Sequence, residues 1–216
     1  KNNKVYLELA TGGGKSYIVF KILEYYTPDI IVIFSPRKQI NIQNIDEKYL
    51  GILKKKYSVL NVSGKNKIQI NKFLKKKEPK IIVSCSQSCK KLYECFNESI
   101  INYSNINIIT WFDEAHYGIE NWIVDNDNLE KYKNCNYKKF WLSDTINDEK
   151  INKRIFVSAS PNKKLIELIE NYKYFGELYT PISVNKLIKQ KWLCPIIPYI
   201  FSLNKTKDEV NILKYI

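Results

Sequence analysis

The 216-residue sequence predicts an α/β fold, a doubly wound and mostly parallel sheet flanked by helices. Three observations carry that prediction. Short apolar runs alternate with stretches whose apolar residues recur at helical spacing. A glycine-rich segment, Leu9-Ala10-Thr11-Gly12-Gly13-Gly14-Lys15-Ser16, stands between the apolar run Val5 to Leu9 and a helical pattern that begins at Tyr17. Far downstream, the apolar run Asn107 to Phe112 ends on two adjacent carboxylates, Asp113 and Glu114, followed by Ala115 and His116.

The first strand is Val5 to Leu9. A strand, a glycine turn and a helix in that order are the setting of a phosphate-binding loop. Glycines let the backbone curl tightly and turn its N–H groups inward, and the helix that follows adds its positive dipole end. Ala10, Thr11, Gly12, Gly13, Gly14, Lys15 and Ser16 are the candidate cradle. Lys15 can reach the β- and γ-phosphates of a nucleoside triphosphate, and the Ser16 hydroxyl can ligate Mg²⁺. Leu9 stands where the strict G-x-x-x-x-G-K-[ST] string has its first glycine, so a flexible glycine loop with a solvated lysine is the competing reading. The acidic pair decides against it. Ligands of open α/β sheets bind at the carboxyl ends of strands. There Asp113 can hold Mg²⁺ while Glu114 orients and deprotonates a water. Lys15 and Glu114 are expected to meet across neighbouring strand ends.

Between these segments, Val19, Leu23 and Tyr26 mark a helix over 17–26, and Ile-Ile-Val-Ile marks a strand over 29–34 that Pro36 stops. A helical pattern runs from about Lys38 to Lys56 through Ile40, Ile45 and Leu50. A strand follows at Tyr57 to Val62, with a turn at Ser63-Gly64. A lysine-rich helix comes near Lys67 to Lys77, then a strand at Lys80 to Ser84 and a helix from about Gln87 to Ile101. Residues 117–153 form a polar stretch without evident chemistry, best read as a peripheral insertion. Arg154 to Val157 returns as a strand, and Leu165, Leu168, Ile169 and Tyr172 mark a further helix.

The Leu9–Ser16 segment followed by Asp-Glu-Ala-His resembles motifs I and II of superfamily 2 helicases and translocases, closest to the DEAH-type group that includes restriction-enzyme motor subunits. Ser35-Pro36-Arg37-Lys38-Gln39 with Gln43 resembles motif Ia, and Ser158-Ala159-Ser160-Pro161 resembles motif III. The resemblance implies the first RecA-like P-loop NTPase domain of such a motor. It implies ATP and Mg²⁺ as cofactors, DNA or RNA as partner, and a second RecA-like domain that supplies arginine fingers. It assigns Ser35, Pro36 and Arg37, with Ser86 and Gln87 after the next strand, to the nucleic-acid backbone. A serine N-cap before the Gln87 helix is the plainer account of that second segment. It assigns His116, Ser158 and Ser160 to coupling between the phosphate site and that surface. Residues 1–195 would be the domain itself. Residues 196–216 would be its last strand, at Ile196 to Leu203, and the start of a connector. Two alternatives stay open: a restriction-type translocase that moves on duplex without unwinding, and a nucleic-acid-binding scaffold with a degenerate motor.

Composition sets the remaining bounds. Hydrophobic content of 44% and aromatic content of 13% indicate a folded globule. The net charge of +13 suits a polyanionic partner. Only Arg37 and Arg154 are arginines, however, and with abundant Asn, Ile and Tyr the lysines also match an AT-rich coding sequence, consistent with a viral source. The five cysteines form no C-x-x-C pair and the only histidine is His116, which predicts no zinc site. Cys89, Leu92, Phe96 and Ile100 share a helical face, which makes Cys89 a core residue. A reducing intracellular compartment is expected, and no apolar run reaches membrane-spanning length. The chain has no Met and opens just ahead of its first strand, which predicts a piece of a longer protein.

Overall fold

The computed structural model describes residues 3–99, 106–116, 153–159, 161 and 175–194. The strands among the described residues are β1 (Lys4–Glu8), β2 (Ile30–Ser35), β3 (Ser58–Asn61), β4 (Lys80–Cys85), β5 (Ile108–Phe112), β6 (Lys153–Ser158) and β7 (Glu177–Tyr179). The α-helices among the described residues are α1 (Lys15–Tyr26), α2 (Lys38–Asn44), α3 (Glu47–Leu50), α4 (Lys67–Leu74), α5 (Cys89–Glu98) and α6 (Val184–Lys189). The seven strands form one sheet in the order β3-β4-β2-β5-β6-β1-β7, and every pairing is parallel. All carboxyl ends therefore lie along one edge, the property that gathers the functional loops.

Each central strand feeds two cores. Ile31 and Ile33 of β2 and Ile81 and Val83 of β4 pack with Val19, Phe20 and Leu23 of α1 and with Tyr49 and Leu50 of α3. Val32 and Phe34, with Ile82, face Ile70, Phe73 and Leu74 of α4 and Leu92, Cys95 and Phe96 of α5. This two-sided burial is why β2 and β4 read as unbroken apolar runs rather than alternating ones. Cys89 is fully buried, as its helical face required.

The expected long helix over 38–56 is two short ones. The chain breaks at Ile45, and Asp46 caps α3 by accepting from the Lys48 N–H at 3.0 Å; an aspartate that can cap competes with helix continuation. The helix expected from Gln87 starts later. Ser86–Ser88 form a 3₁₀ turn, and Ser88 is the N-cap residue of α5 without a side-chain capping bond. By contrast, Asn66 and Gln69 make a reciprocal capping box on α4. The expected helix over 165–172 and strand at 196–203 lie outside the described residues, as does the insertion expected over 117–153 except for Lys153, which begins β6.

One row of rings underlies the site. Register aligns Phe34 with Phe112, Phe112 with Phe156, and Phe156 with Tyr6. Their centroids stand 5.1, 4.8 and 6.3 Å apart in stacked geometry, and Phe175 meets both Phe156 and Tyr6 edge-on. Aromatic pairs of this kind add about 0.5–1.5 kcal/mol each beyond area burial. They stiffen the strand ends from which Ser35, Asp113 and Ser158 project. Gly176 (φ +74°) completes the edge: a Cβ there would stand 2.1 Å from the Lys4 carbonyl oxygen, so only glycine lets β7 close on β1.

Candidate nucleotide and nucleic-acid site

The glycine loop leaves β1 at Leu9, whose side chain is buried and whose N–H donates to the Ser158 carbonyl at 2.9 Å. The position of the missing first glycine is thus an apolar anchor for the loop's base. The Gly13 N–H donates back to the Ala10 carbonyl at 2.9 Å, closing the turn. Gly12 and Gly14 adopt φ of +76° and +78°. Gly14 is the N-cap of α1 and offers its first-turn N–H groups no capping side chain. A twelve-residue helix whose uncapped N-terminus sits behind a glycine turn suits a bound anion. Thr11, Gly12 and Gly14 are exposed, and Lys15 and Ser16 are half-buried.

The acidic pair continues β5 into the same edge. The Asp113 N–H donates to the Phe34 carbonyl and the Ala115 N–H to the Val157 carbonyl, both at 2.8 Å. Between them Glu114 takes a left-handed conformation, φ +49°. That costs a non-glycine residue about 1–3 kcal/mol and recurs where function demands a particular aim. The aim here is Lys15: its Nζ lies 2.7 Å from Glu114 Oε1. The expectation that the two meet across neighbouring strand ends needs correction, because β6 runs between β1 and β5. The pair bridges over the end of β6, which inserts between β1 and β5.

Asp113 is buried at 8% exposure. Its Oδ2 accepts from Asn44 Nδ2 at 3.0 Å, and its Oδ1 accepts from the Glu114 N–H at 3.1 Å. Burial pushes its carboxyl above the usual range, the Asn44 bond opposes that, and the Glu114 charge reinforces it. A carboxyl raised in the fold favours folding below its unfolded value and loses that contribution as pH rises through its folded value. The charged form therefore burdens the fold at neutral pH. Asp113→Asn removes the ionisation but also one of the two acceptor oxygens, so the expected result is in the pH dependence: the Tm of the variant relative to wild type rises as pH rises through the folded value of Asp113. Thermal melts across pH check this; a Tm difference that stays constant or falls with rising pH would contradict it.

His116 Nδ1 lies 2.7 Å from Ser158 Oγ and 3.4 Å from Glu114 Oε2. The expected coupling partners His116 and Ser158 are thus together, while Ser160 lies outside the described residues. Beneath them is Tyr6, fully buried, with its hydroxyl pushed towards a higher pKa chiefly by burial.

The expected nucleic-acid residues sit on the same edge with different standing. Arg37 and Gln87 are exposed, and Pro36 is partly buried. Ser35 is buried; its Oγ donates to Asn41 Oδ1 at 2.6 Å and lies 3.0 Å from the Arg37 carbonyl oxygen. Its hydroxyl is therefore a support for the loop rather than a group presented to phosphate. The Ser86 backbone opens the 3₁₀ turn after β4. Arg154 is buried at the start of β6, at the opposite edge from the glycine loop.

Sequence reasoning passed over Asn41 and Asn44, two asparagines three apart on the buried side of α2; that spacing was their only signal. It also gave Leu187 and Leu193 no part in the site. A Cβ on Gly13 would stand 3.5 Å from Leu187 Cδ1, and one on Gly12 would stand 3.1 Å from Leu193 Cδ2, so α6 and its following turn roof the glycines. α6 ends in a Schellman motif with Lys191 left-handed at φ +62° and the Trp192 N–H bonded to the Leu187 carbonyl at 2.9 Å. Among the described residues no group of three or more His, Cys, Asp or Glu side chains could hold a metal, and no helix is long and apolar enough to cross a membrane.

The all-parallel sheet flanked by helices, with the glycine turn at a helix N-terminus and the acidic pair at a strand end, has the RecA-like fold of helicase domains. Residues 1–163 match the family described as type III restriction enzyme, res subunit, and the chain belongs to that family. Among solved structures it is similar to the type ISP restriction-modification enzyme LlaGI, a nuclease-deletion mutant in complex with a DNA substrate mimic. There the TM-score is 0.65 at 17% identity, covering 100% of this chain and 20% of that one. A DEAD box protein from Methanococcus jannaschii gives 0.53 at 19% identity over 83% of this chain and 45% of that one. A hypothetical ATP-dependent RNA helicase from Sulfolobus tokodaii gives 0.51 at 14% identity over 82% and 47%. The chain thus spans between a fifth and about half of these proteins. No curated protein matches it.

Proposed function

We propose that the chain is the ATP-binding half of a DEAH-type motor that couples Mg²⁺-dependent ATP hydrolysis to movement along nucleic acid. The observation that carries this reading is the 2.7 Å approach of Lys15 to Glu114 at the N-terminus of α1, with Asp113 adjoining. The donor set fits the ligands: uncapped helix N–H groups and an ammonium for phosphate, a hydroxyl and a buried carboxylate for Mg²⁺. Ser16 and Asp113 would hold the ion, which neutralises charge developing on the β- and γ-phosphates. Lys15 exchanges Glu114 for a phosphate oxygen, and the freed Oε1 takes a proton from water as the water oxygen bonds to phosphorus and ADP departs. A second RecA-like domain supplies the arginines, because Arg154 is buried at the far edge and Arg37 belongs to the exposed loop after β2.

The test is ATP binding by the chain with and without Mg²⁺, together with phosphate release. Binding that needs Mg²⁺, with very slow turnover, is the expected result; Mg²⁺-independent or absent binding would refute the reading. A restriction-type translocase on duplex DNA is the second reading, favoured by the family match and by the DNA-bound LlaGI structure. A strand-displacement assay on a protein with both domains separates it from an unwinding helicase.

A further inference from the structure

Helix α2 turns two asparagines inward, and both are buried: Asn41 at 0% and Asn44 at 1% exposure. Residues three apart lie on one helical face, and buried amides persist only where they are hydrogen-bonded. Asn41 accepts from Ser35 at the end of β2 and donates through Nδ2 to Cys85 Sγ at 3.2 Å at the end of β4. From those two strand ends spring the loops that present Arg37 and Gln87. Asn44, one turn further, donates to Asp113 Oδ2. The other carboxylate oxygen is held by the Glu114 N–H, so Asn44 governs how Asp113 is rotated about that fixed bond. Lys38, the first residue of α2, follows Arg37 directly. A phosphate drawn onto Arg37 therefore pulls on the helix that carries both amides.

We propose that α2 is a strut that couples nucleic-acid binding at the Arg37 and Gln87 loops to Mg–nucleotide binding at Asp113, with Asn41 and Asn44 as positioning residues. This rests on the functional reading above and adds the route by which one site senses the other. Coupling between two binding sites is reciprocal, and effects of about 5- to 150-fold are usual. An oligonucleotide bound at the loops raises affinity for Mg–nucleotide because it fixes Asn44 in the rotation that presents Asp113 to the ion. If the amides did no more than satisfy each other inside the fold, their removal would lower stability and leave the coupling unchanged.

The experiment measures the Kd of the chain for a fluorescent, non-hydrolysable ATP analogue with Mg²⁺, in the absence and presence of saturating single-stranded or duplex oligonucleotide. The ratio of the two constants is the readout. The wild-type chain is expected to show a ratio of at least about fivefold, and Asn44→Leu a ratio near one while still binding oligonucleotide. Asn41→Ser, a milder change at the other joint, is expected to lower the ratio too and serves where Asn44→Leu does not fold. A wild-type ratio of one, or a wild-type ratio in folded variants, overturns the strut. A wild-type chain that binds no Mg–nucleotide overturns the functional reading and the strut with it.

Discussion

Lys15→Ala is expected to weaken binding of Mg–ATP by about a hundredfold or more, measured by titration with a fluorescent ATP analogue. The ammonium lies behind the glycine turn, where it can bond both terminal phosphates. Each charge-assisted bond contributes about 1.5–3 kcal/mol, and 1.4 kcal/mol is tenfold in affinity. The fold itself is expected to survive. Lys15 and Glu114 retain 14% and 22% side-chain exposure, and ion pairs near the surface contribute about 1 kcal/mol or less. The loop also keeps its own supports: the Leu9 N–H on Ser158, the Gly13 N–H on Ala10, and the leucine roof. A variant with unchanged melting and unchanged affinity would remove Lys15 from the phosphate site.

Glu114→Gln separates binding from chemistry. Glutamine has the same length and accepts the same left-handed backbone no less readily, so Mg–ATP affinity is expected to stay within a few-fold of wild type. Its amide cannot take a proton from water. Single-turnover hydrolysis, measured in a protein that carries both domains, is expected to fall by about 10²- to 10⁴-fold, the usual contribution of a positioned base. Normal hydrolysis by this variant would show that Glu114 is not the base and would leave His116, 3.4 Å from it, as the next group to test.

The two variants also discriminate between the open readings. A degenerate scaffold would bind nucleic acid and be indifferent to both substitutions. A motor loses nucleotide at Lys15 and chemistry at Glu114.

Much of this architecture was legible along the chain because its signals are local. A glycine run must curl wherever it sits, so the cradle at Gly12–Gly14 was readable from three adjacent residues. The apolar runs over 30–35 and 80–85 announce two-sided burial by their composition alone. The order strand, glycine turn, helix, then strand and acidic pair, brought Lys15 and Glu114 to one edge on the principle that parallel strands end together. Helix limits were less secure, since Asp46 and the Ser86–Ser88 turn rearrange a few backbone bonds within a continuing apolar pattern.

By itself, then, the sequence determined the α/β class, the glycine turn ahead of a helix and the acidic pair at a strand end, each written in neighbouring residues and their intrinsic backbone preferences. Only the tertiary structure decided that β6 separates β1 from β5, that four aromatic rings from distant strands align beneath the site, that Ser35 turns inward, and that Asn44 grips Asp113. Most of those features depend on strand order and register, which arise from contacts between residues distant in sequence; Asn44 and Asp113, for instance, stand 69 positions apart. No local propensity encodes such a contact, because its energy exists only once the intervening chain has been folded around it.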